Sequence, residues 1–271
     1  MGVLKKLTSE YFGDTERKED IIELPEGVER VDFTDKNGVR HKRGYRIITD
    51  DNVDPKGRLR KLIGTLMEKR GKECDLNDID VSNITDMSHL FEYDIFGYTP
   101  ICKFDGDISG WDMTNVTKML GMFRESKFTG RNGIFRMTVG EKVENRFMED
   151  MFKGSPFVGD VSGWDMRGVL NVMGMFEKTP FDGDLSGWNL QDVLLFDGMF
   201  RNSKFTGRNG MFTLDIDKPN HMCILDEMFK HSNFSADISG WKLPSDTKMI
   251  DVFKECPLEN DPPKWYKNRK K

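Results

Sequence analysis

Apolar and polar positions along this chain repeat in blocks rather than residue by residue. Phe104-Asp-Gly-Asp-Ile-Ser-Gly-Trp111-Asp-Met113 returns as Phe157-Val-Gly-Asp-Val-Ser-Gly-Trp164-Asp-Met166. It returns again from Phe181 to Leu190 and from Phe234 to Leu243. Two blocks carry a different opening, Phe128-Thr-Gly-Arg-Asn-Gly-Ile-Phe135 and Phe205-Thr-Gly-Arg-Asn-Gly-Met-Phe212. Closing phenylalanines stand at 91, 123, 152, 176, 200, 229 and 253, so the steps are 32, 29, 24, 24, 29 and 24 residues. Phe104, Phe128 and Phe157 reappear 77 residues later as Phe181, Phe205 and Phe234. A short-long-short triplet has been duplicated whole.

Aligned on the opening Phe, the blocks give apolar columns. The seventh place after it reads Trp111, Phe135, Trp164, Trp188, Phe212, Trp241, and four places before each closing Phe stand Met87, Met119, Met148, Val172, Phe196, Leu225 and Met249. Such columns read as a stacked core, because one repeat alone cannot bury its apolar face. Within a block, Ile108 to Met113 reads as a short strand, and Asn115 as the cap of a helix carrying Val116, Met119, Met122 and Phe123. The expected fold class is therefore α/β, a solenoid of about seven strand-turn-helix coils. Residues 1–57 read as an arm followed by a β-hairpin, with Val28–Phe33 and Val39–Ile48 flanking Asp35-Lys-Asn-Gly38. Residues 58–91 read as a capping helix, with Leu59, Leu62, Ile63, Leu66 and Met67 on one face, and a degenerate first coil. The solenoid proper spans 92–256, and 257–271 form a cap, with Trp265 and Tyr266 over the last coil, and a basic tail.

Composition narrows the function without naming it. Apolar residues make up 37%, charged residues 32%, and the net charge is −5. That is a globular balance with no strong field for nucleic acid or an anionic membrane. No apolar run is long enough for a membrane span, and no signal-peptide core precedes Asp14. A cytoplasmic location is expected, with a virion as the alternative. Cys74, Cys102, Cys223 and Cys256 are scattered, with no C-x-x-C pair. No H-E-x-x-H, G-x-S-x-G or P-loop pattern is present, so the expectation is no enzyme, no metal and no cofactor. Asp105, Asp107 and Asp112 lack the order of a calcium loop. The third column reads Asp107, Arg131, Asp160, Asp184, Arg208, Asp237, which suggests a structural ladder with each Arg between two Asp residues.

The block sequence resembles the bacterial BspA-like leucine-rich repeats, including mycoplasma-type repeats of the pattern F-x-x-D-[ILV]-S-x-W-x-[VML]-x-x-V-x-x-M-x-x-M-F. Residues 58 to 256 carry the resemblance, and it implies a leucine-rich-repeat-like solenoid used for binding and adhesion.

The expected function is a non-catalytic protein-interaction scaffold, binding a macromolecular partner through the solenoid face or the 92–103 loop. A second reading is a structural component of a larger assembly such as a phage particle. Candidate contact residues are Tyr93, Phe96 and Tyr98 in the loop, where twelve residues replace the usual four. The others lie in the variable eighth column: Asp112, Arg136, Asp165, Asn189 and Lys242. The expected partner is a protein, with self-association open, no membrane role, and nucleic acid or carbohydrate behind these.

Overall fold

The computed structural model describes residues 22–49, 54–93, 100–138, 146–216 and 223–269. At the N-terminal end, β1 (Val28–Thr34) and β2 (Arg40–Ile47) form the expected antiparallel hairpin. Its turn is closed by Asp35, whose carboxylate accepts the Asn37 and Val39 N–H groups at 2.9 Å each, while Gly38 takes a positive φ of 79°. β2 pairs in parallel with β3 (Ile79–Asp80), which ties the hairpin to the first repeat.

Helix α1 (Pro55–Arg70) starts three residues before the expected boundary at 58, because Pro55 suits a first helical position. Leu59, Leu62, Ile63, Leu66 and Met67 are buried as their spacing requires. The helix holds the first repeat through polar contacts as well. Arg60 donates to the His89 carbonyl at 2.6 Å, and Arg70 meets the Asp78 carboxylate at 2.8 and 3.0 Å.

The strand-turn-helix unit is overturned. Among the described residues the only α-helices are α1 and the four-residue α2 (Lys264–Lys267), with a single 3-10 turn at Pro100–Lys103. The repeats consist instead of tight turns, isolated parallel bridges and two very short strands, β4 (Arg146–Phe147) and β5 (Val169–Asn171). The expected leucine-rich-repeat-like solenoid is therefore not the fold of this chain. The physical reason lies in turn bonds that the apolar spacing admits. Met113, Val116, Met119 and Met122 step by three, as do Leu190, Val193, Phe196 and Met199. A helix turns every 3.6 residues, whereas a β-turn bonds residue i to i+3. Val116 N donates to Met113 O at 3.1 Å and Met122 N to Met119 O at 3.2 Å, and the pattern recurs at Val193–Leu190 and Met199–Phe196.

A second obstacle to a helix is the backbone around each closing Phe. Two residues before it, His89, Gly121, Asp150, Gly174, Gly198, Glu227 and Asp251 all have φ between 53° and 61°. Two residues after it, Glu125, Lys178, Asn202, His231 and Glu255 do the same, and Gly154 takes 70°. Nine of these positions are not glycine, and each costs about 1–2 kcal/mol in the left-handed region. Cross-repeat bonding holds them there. Asp150 N, for instance, donates to Met173 O at 2.8 Å, and Glu227 N to Ile250 O at 2.7 Å. Four such N–H groups per repeat donate to the following repeat, and the same four places recur at every junction from Phe91 to Phe253.

Inside, the opening and closing phenylalanines make two stacked columns. Closing rings lie 5.1 to 5.9 Å apart from Phe91 to Phe253, and opening rings 5.9 to 6.2 Å apart from Phe104 to Phe234. The columns touch at Phe152–Phe157 and Phe229–Phe234, both 3.8 Å. Each Trp adds a polar lock to the repeat before it: Trp188 Nε1 donates to Val161 O at 2.9 Å and Trp241 Nε1 to Phe212 O at 3.2 Å. Trp265 repeats this bond to Ile238 O at 2.9 Å and stacks on Trp241 at 6.0 Å, so the C-terminal segment ends the stack as a further repeat would. One continuous core runs from Ile22 to Tyr266.

Candidate interaction face

The closing segments place alternate side chains on opposite sides, as strands do. The residue four before each closing Phe points into the core; those five and three before it point out. Leu120, Met173, Leu195 and Ile224 are only partly buried on the outer side, and Phe147 and Ile250 are 40% and 65% exposed. The partly buried residues of this row are not packed against the main core. Parallel bridges join Lys118 to Phe147, and Asn171 to Leu195, Ile224 and Lys248 in turn, so these residues share one ladder. Adjacent rungs of such a ladder lie about 4.8 Å apart. The row three before the closing Phe reads Leu120, Glu149, Met173, Asp197, Asp226 and Ile250 from the second repeat on, so acidic residues interrupt the apolar ones. Burial, then Asp226, raises the Asp197 carboxyl above its ordinary range.

Beside this strip runs a chain of ion pairs through successive repeats. Glu92 pairs with Arg124, which meets Asp150 at 3.3 Å; Asp150 meets Lys153 at 3.3 Å, and Lys153 meets Glu177 at 3.1 Å. Glu177 continues to Arg201 at 2.8 Å, Arg201 to Glu227, Glu227 to Lys230 at 2.5 Å, and Lys230 to Asp251 at 3.5 Å. Hydrogen bonds from Lys230 and Arg201 hold the Glu227 carboxyl below its ordinary range.

This is a charge ladder, but in a different column from the one expected. Among the described residues, Arg131 and Arg208 make no ion pair with the Asp residues on either side. The Gly-Arg-Asn-Gly opening displaces the long repeats relative to their neighbours, so Gly133 and not Arg131 lies against Asp107. A Cβ on Gly133 would fall 2.1 Å from Asp107 Oδ1, and one on Gly210 1.8 Å from Asp184 Oδ1. Arg208 Nε instead reaches Ser235 Oγ at 3.0 Å. Asp107, Asp160, Asp184 and Asp237 each accept the N–H of the serine two residues on, at 2.8 to 2.9 Å. The recurring Asp-x-Ser is thus a turn device.

The eighth column is on the surface, and three of its members serve their own turns. Asp112, Asp165 and Asn189 accept the N–H of the residue two places on. Asp112 also meets Lys36 of the hairpin turn at 3.2 Å, and Asp165 is held below the ordinary carboxylate range by Arg167. Arg136 is exposed near Asp160, and Lys242 pairs with Asp215 at 2.8 Å. Tyr93 is 51% exposed; Phe96 and Tyr98 lie outside the described residues. The outer strip escaped sequence reasoning because uniform columns were sought. Its signal was the reverse, Phe147, Leu195 or Ile224 in a column that elsewhere carries Asp86, Lys118 or Lys248.

Chemistry-bearing residues are dispersed. Asp105 is bonded to Thr129 and Asp107 to Ser109, and among the described residues no three His, Cys, Asp or Glu side chains converge as a metal site. Burial pushes the Cys74 and Cys223 thiols up to about 11 and about 12, away from nucleophilic use. No helix among the described residues is long and apolar enough to cross a membrane.

No curated protein and no solved structure matches the chain. A family model does, over residues 62–147, 140–223 and 203–269, from within α1 to the end of the described residues. Its three tandem matches span the repeats just described, and the chain belongs to the family described as Mycoplasma protein of unknown function, DUF285.

Proposed function

We propose that this chain is a non-catalytic protein-interaction scaffold that binds a protein partner across the outer side of its closing-segment ladder. The observation that carries the proposal is the apolar strip of Phe147, Leu195 and Ile224 in one bridged row and Leu120 and Met173 in the next, set outside the core on backbone-bonded rungs. Contiguous exposed apolar surface on a folded chain marks interaction sites more often than scattered residues do. Glu149, Asp197 and Asp226 beside it fit a partner whose apolar row is flanked by Lys or Arg. The motif's resemblance to BspA-like repeats, used elsewhere for binding, supports the reading as an analogy. We place its action in the cytoplasm, where the four free and buried thiols stay reduced.

A Phe147→Ser, Leu195→Ser, Ile224→Ser triple variant with a wild-type unfolding curve tests this. Partners captured from the source cell by the wild type should be lost with the triple variant and kept by Tyr93→Ala. Loss with Tyr93→Ala alone would move the site to the 92–103 loop. Wild-type self-assembly that disappears in the triple variant would favour the structural-component reading instead.

A further inference from the structure

At every internal junction, four N–H groups of one closing segment donate to carbonyls of the next. Leu225, Glu227, Phe229 and His231 donate in this way to Lys248, Ile250, Val252 and Lys254 at 2.9 to 3.0 Å, apart from the 2.7 Å bond of Glu227. The equivalent donors of the last repeat are Met249, Asp251, Phe253 and Glu255. Glu255 N is bonded to the Glu259 carboxylate at 3.0 Å. Among the described residues, Met249, Asp251 and Phe253 N–H have no protein acceptor. The C-terminal segment covers the aromatic half of this repeat, with Tyr266 edge-on to Phe253 at 5.0 Å and Trp265 on Trp241, and Arg269 donates to the Leu243 and Pro244 carbonyls. Among the described residues the half from Thr247 to Asp251 is left open, and Ile250 there is 65% exposed.

The polarity of this edge limits what can fill it. The unused donors occupy places whose internal equivalents donate to the following repeat, and Thr247 O, equivalent to the Cys223 O that accepts Lys248 N, is its one matching acceptor, so two C-terminal edges would set donor against donor along most of their length. The opposite end of the stack, which offers carbonyls, is held by α1 through Arg60 on His89 O and Lys56 at 3.8 Å from Asp86. Joining one copy's tail to another's head would have to displace that helix. An edge with unpaired donors is a ready template for an added strand.

We propose that the open edge from Thr247 to Asp251 is a β-addition site for an extended segment of another protein. The segment lies parallel to the last repeat and offers carbonyls to Met249 and Asp251. Its chemistry follows from what covers the same edge at the internal junctions: an apolar side chain on the inner side, at the level of Met119, Met148, Val172, Phe196 and Leu225. An outward neighbour lies beside Ile250.

The probe is an acetylated and amidated peptide of residues 192–203, one of the chain's own closing segments, added to the full chain and read by amide hydrogen exchange. Saturating peptide should slow exchange at Met249 and Asp251 by about tenfold or more, with the amides of internal repeats unchanged. Ile250→Lys, a surface change that leaves the melting curve in place, should weaken peptide binding about fivefold or more. The outer-strip triple variant should bind the peptide as the wild type does, which separates this site from the ladder face. Unchanged exchange at Met249 and Asp251 under saturating peptide would overturn the proposal, as would equal protection by a scrambled peptide. Protection that rises with protein concentration in the absence of peptide would also overturn it, by making a second copy the occupant.

Discussion

The two copies of the duplicated triplet, Phe104–Phe176 and Phe181–Phe253, can be laid over one another residue by residue. What holds the chain together is the same in both. Asn132 Nδ2 reaches Asp105 O and Asn209 Nδ2 reaches Asp182 O; Thr129 and Thr206 bind Asp105 and Asp182 through matching pairs of bonds. Gly133 and Gly210 take φ of 142° and 144°. What faces outward differs: Leu120 against Asp197, Lys118 against Leu195, Met173 against Ile250. Duplication kept the frame and released the outer row. That division is expected if the frame is needed for stability and the row for recognition.

The largest effects should therefore be equal in the two copies. Phe152 lies between Phe123 at 5.5 Å and Phe176 at 5.7 Å, with Phe157 at 3.8 Å; Phe229 lies between Phe200 at 5.6 Å and Phe253 at 5.9 Å, with Phe234 at 3.8 Å. Phe152→Ala and Phe229→Ala should each cost about 3–5 kcal/mol in denaturant unfolding, the range for removing a buried ring. A large inequality between them would break the equivalence of the frames.

One position buried in both copies differs in charge. Arg146 in the first copy corresponds to Cys223 in the second, and both are fully buried. Arg146 Nη2 donates to Thr114 O at 3.1 Å and Thr138 O at 2.9 Å, but its Nε and Nη1 have no partner among the described residues. Burial, only partly offset by Asp165, lowers its pKa. Replacing a buried, incompletely bonded charge with an apolar side chain of similar length is often favourable. Arg146→Met should stabilise the protein by roughly 1–2 kcal/mol. Destabilisation in the same unfolding measurement would show that the two carbonyl bonds outweigh the desolvated charge.

Much of this architecture was legible in the sequence. The repeat, its two lengths, the core columns, the hairpin around Asn37-Gly38 and the α1 face all follow from spacing and turn chemistry. The internal conformation of a repeat did not. Val116, Met119, Leu120 and Phe123 fit a helical face as well as Met113, Val116, Met119 and Met122 fit turns three residues apart, and the spacing alone does not choose between them. The positive-φ places were hidden because glycine occupies only some of them, and His89 or Glu227 gives no local sign of a left-handed backbone. The expected Asp–Arg ladder differs for a related reason. Aligning by residue count put Arg131 in the Asp column, but the backbone path through Gly130 and Gly133 moves it out. The ion-pair chain needed neighbours one repeat apart, Lys153 with Glu177 and Arg201 with Glu227, which only the spatial register shows.

The smallest stability effect falls on the outer row and tests its separation from the frame most closely. Asp197 occupies the place of Leu120 in the first copy, beside Asp226 on the next repeat. Its carboxyl is raised by burial first and by Asp226 second. A carboxyl whose folded pKa lies above its unfolded value binds protons more readily when folded. It therefore favours folding at low pH, and that advantage is lost as pH rises through the folded pKa. Above it, the charge opposes folding. Asp197→Leu installs the residue of the first copy, removes the like-charge contact and lengthens the apolar strip. It should stabilise the chain by about 0.5 kcal/mol at neutral pH, the scale of a like-charge pair across neighbouring strands. The gain should shrink as pH falls to the point where Asp197 is protonated in the wild type, a dependence that unfolding curves at several pH values would resolve. A gain independent of pH would assign the effect to packing alone. Unchanged stability together with tighter capture of a partner would show the outer row acting on recognition without the frame.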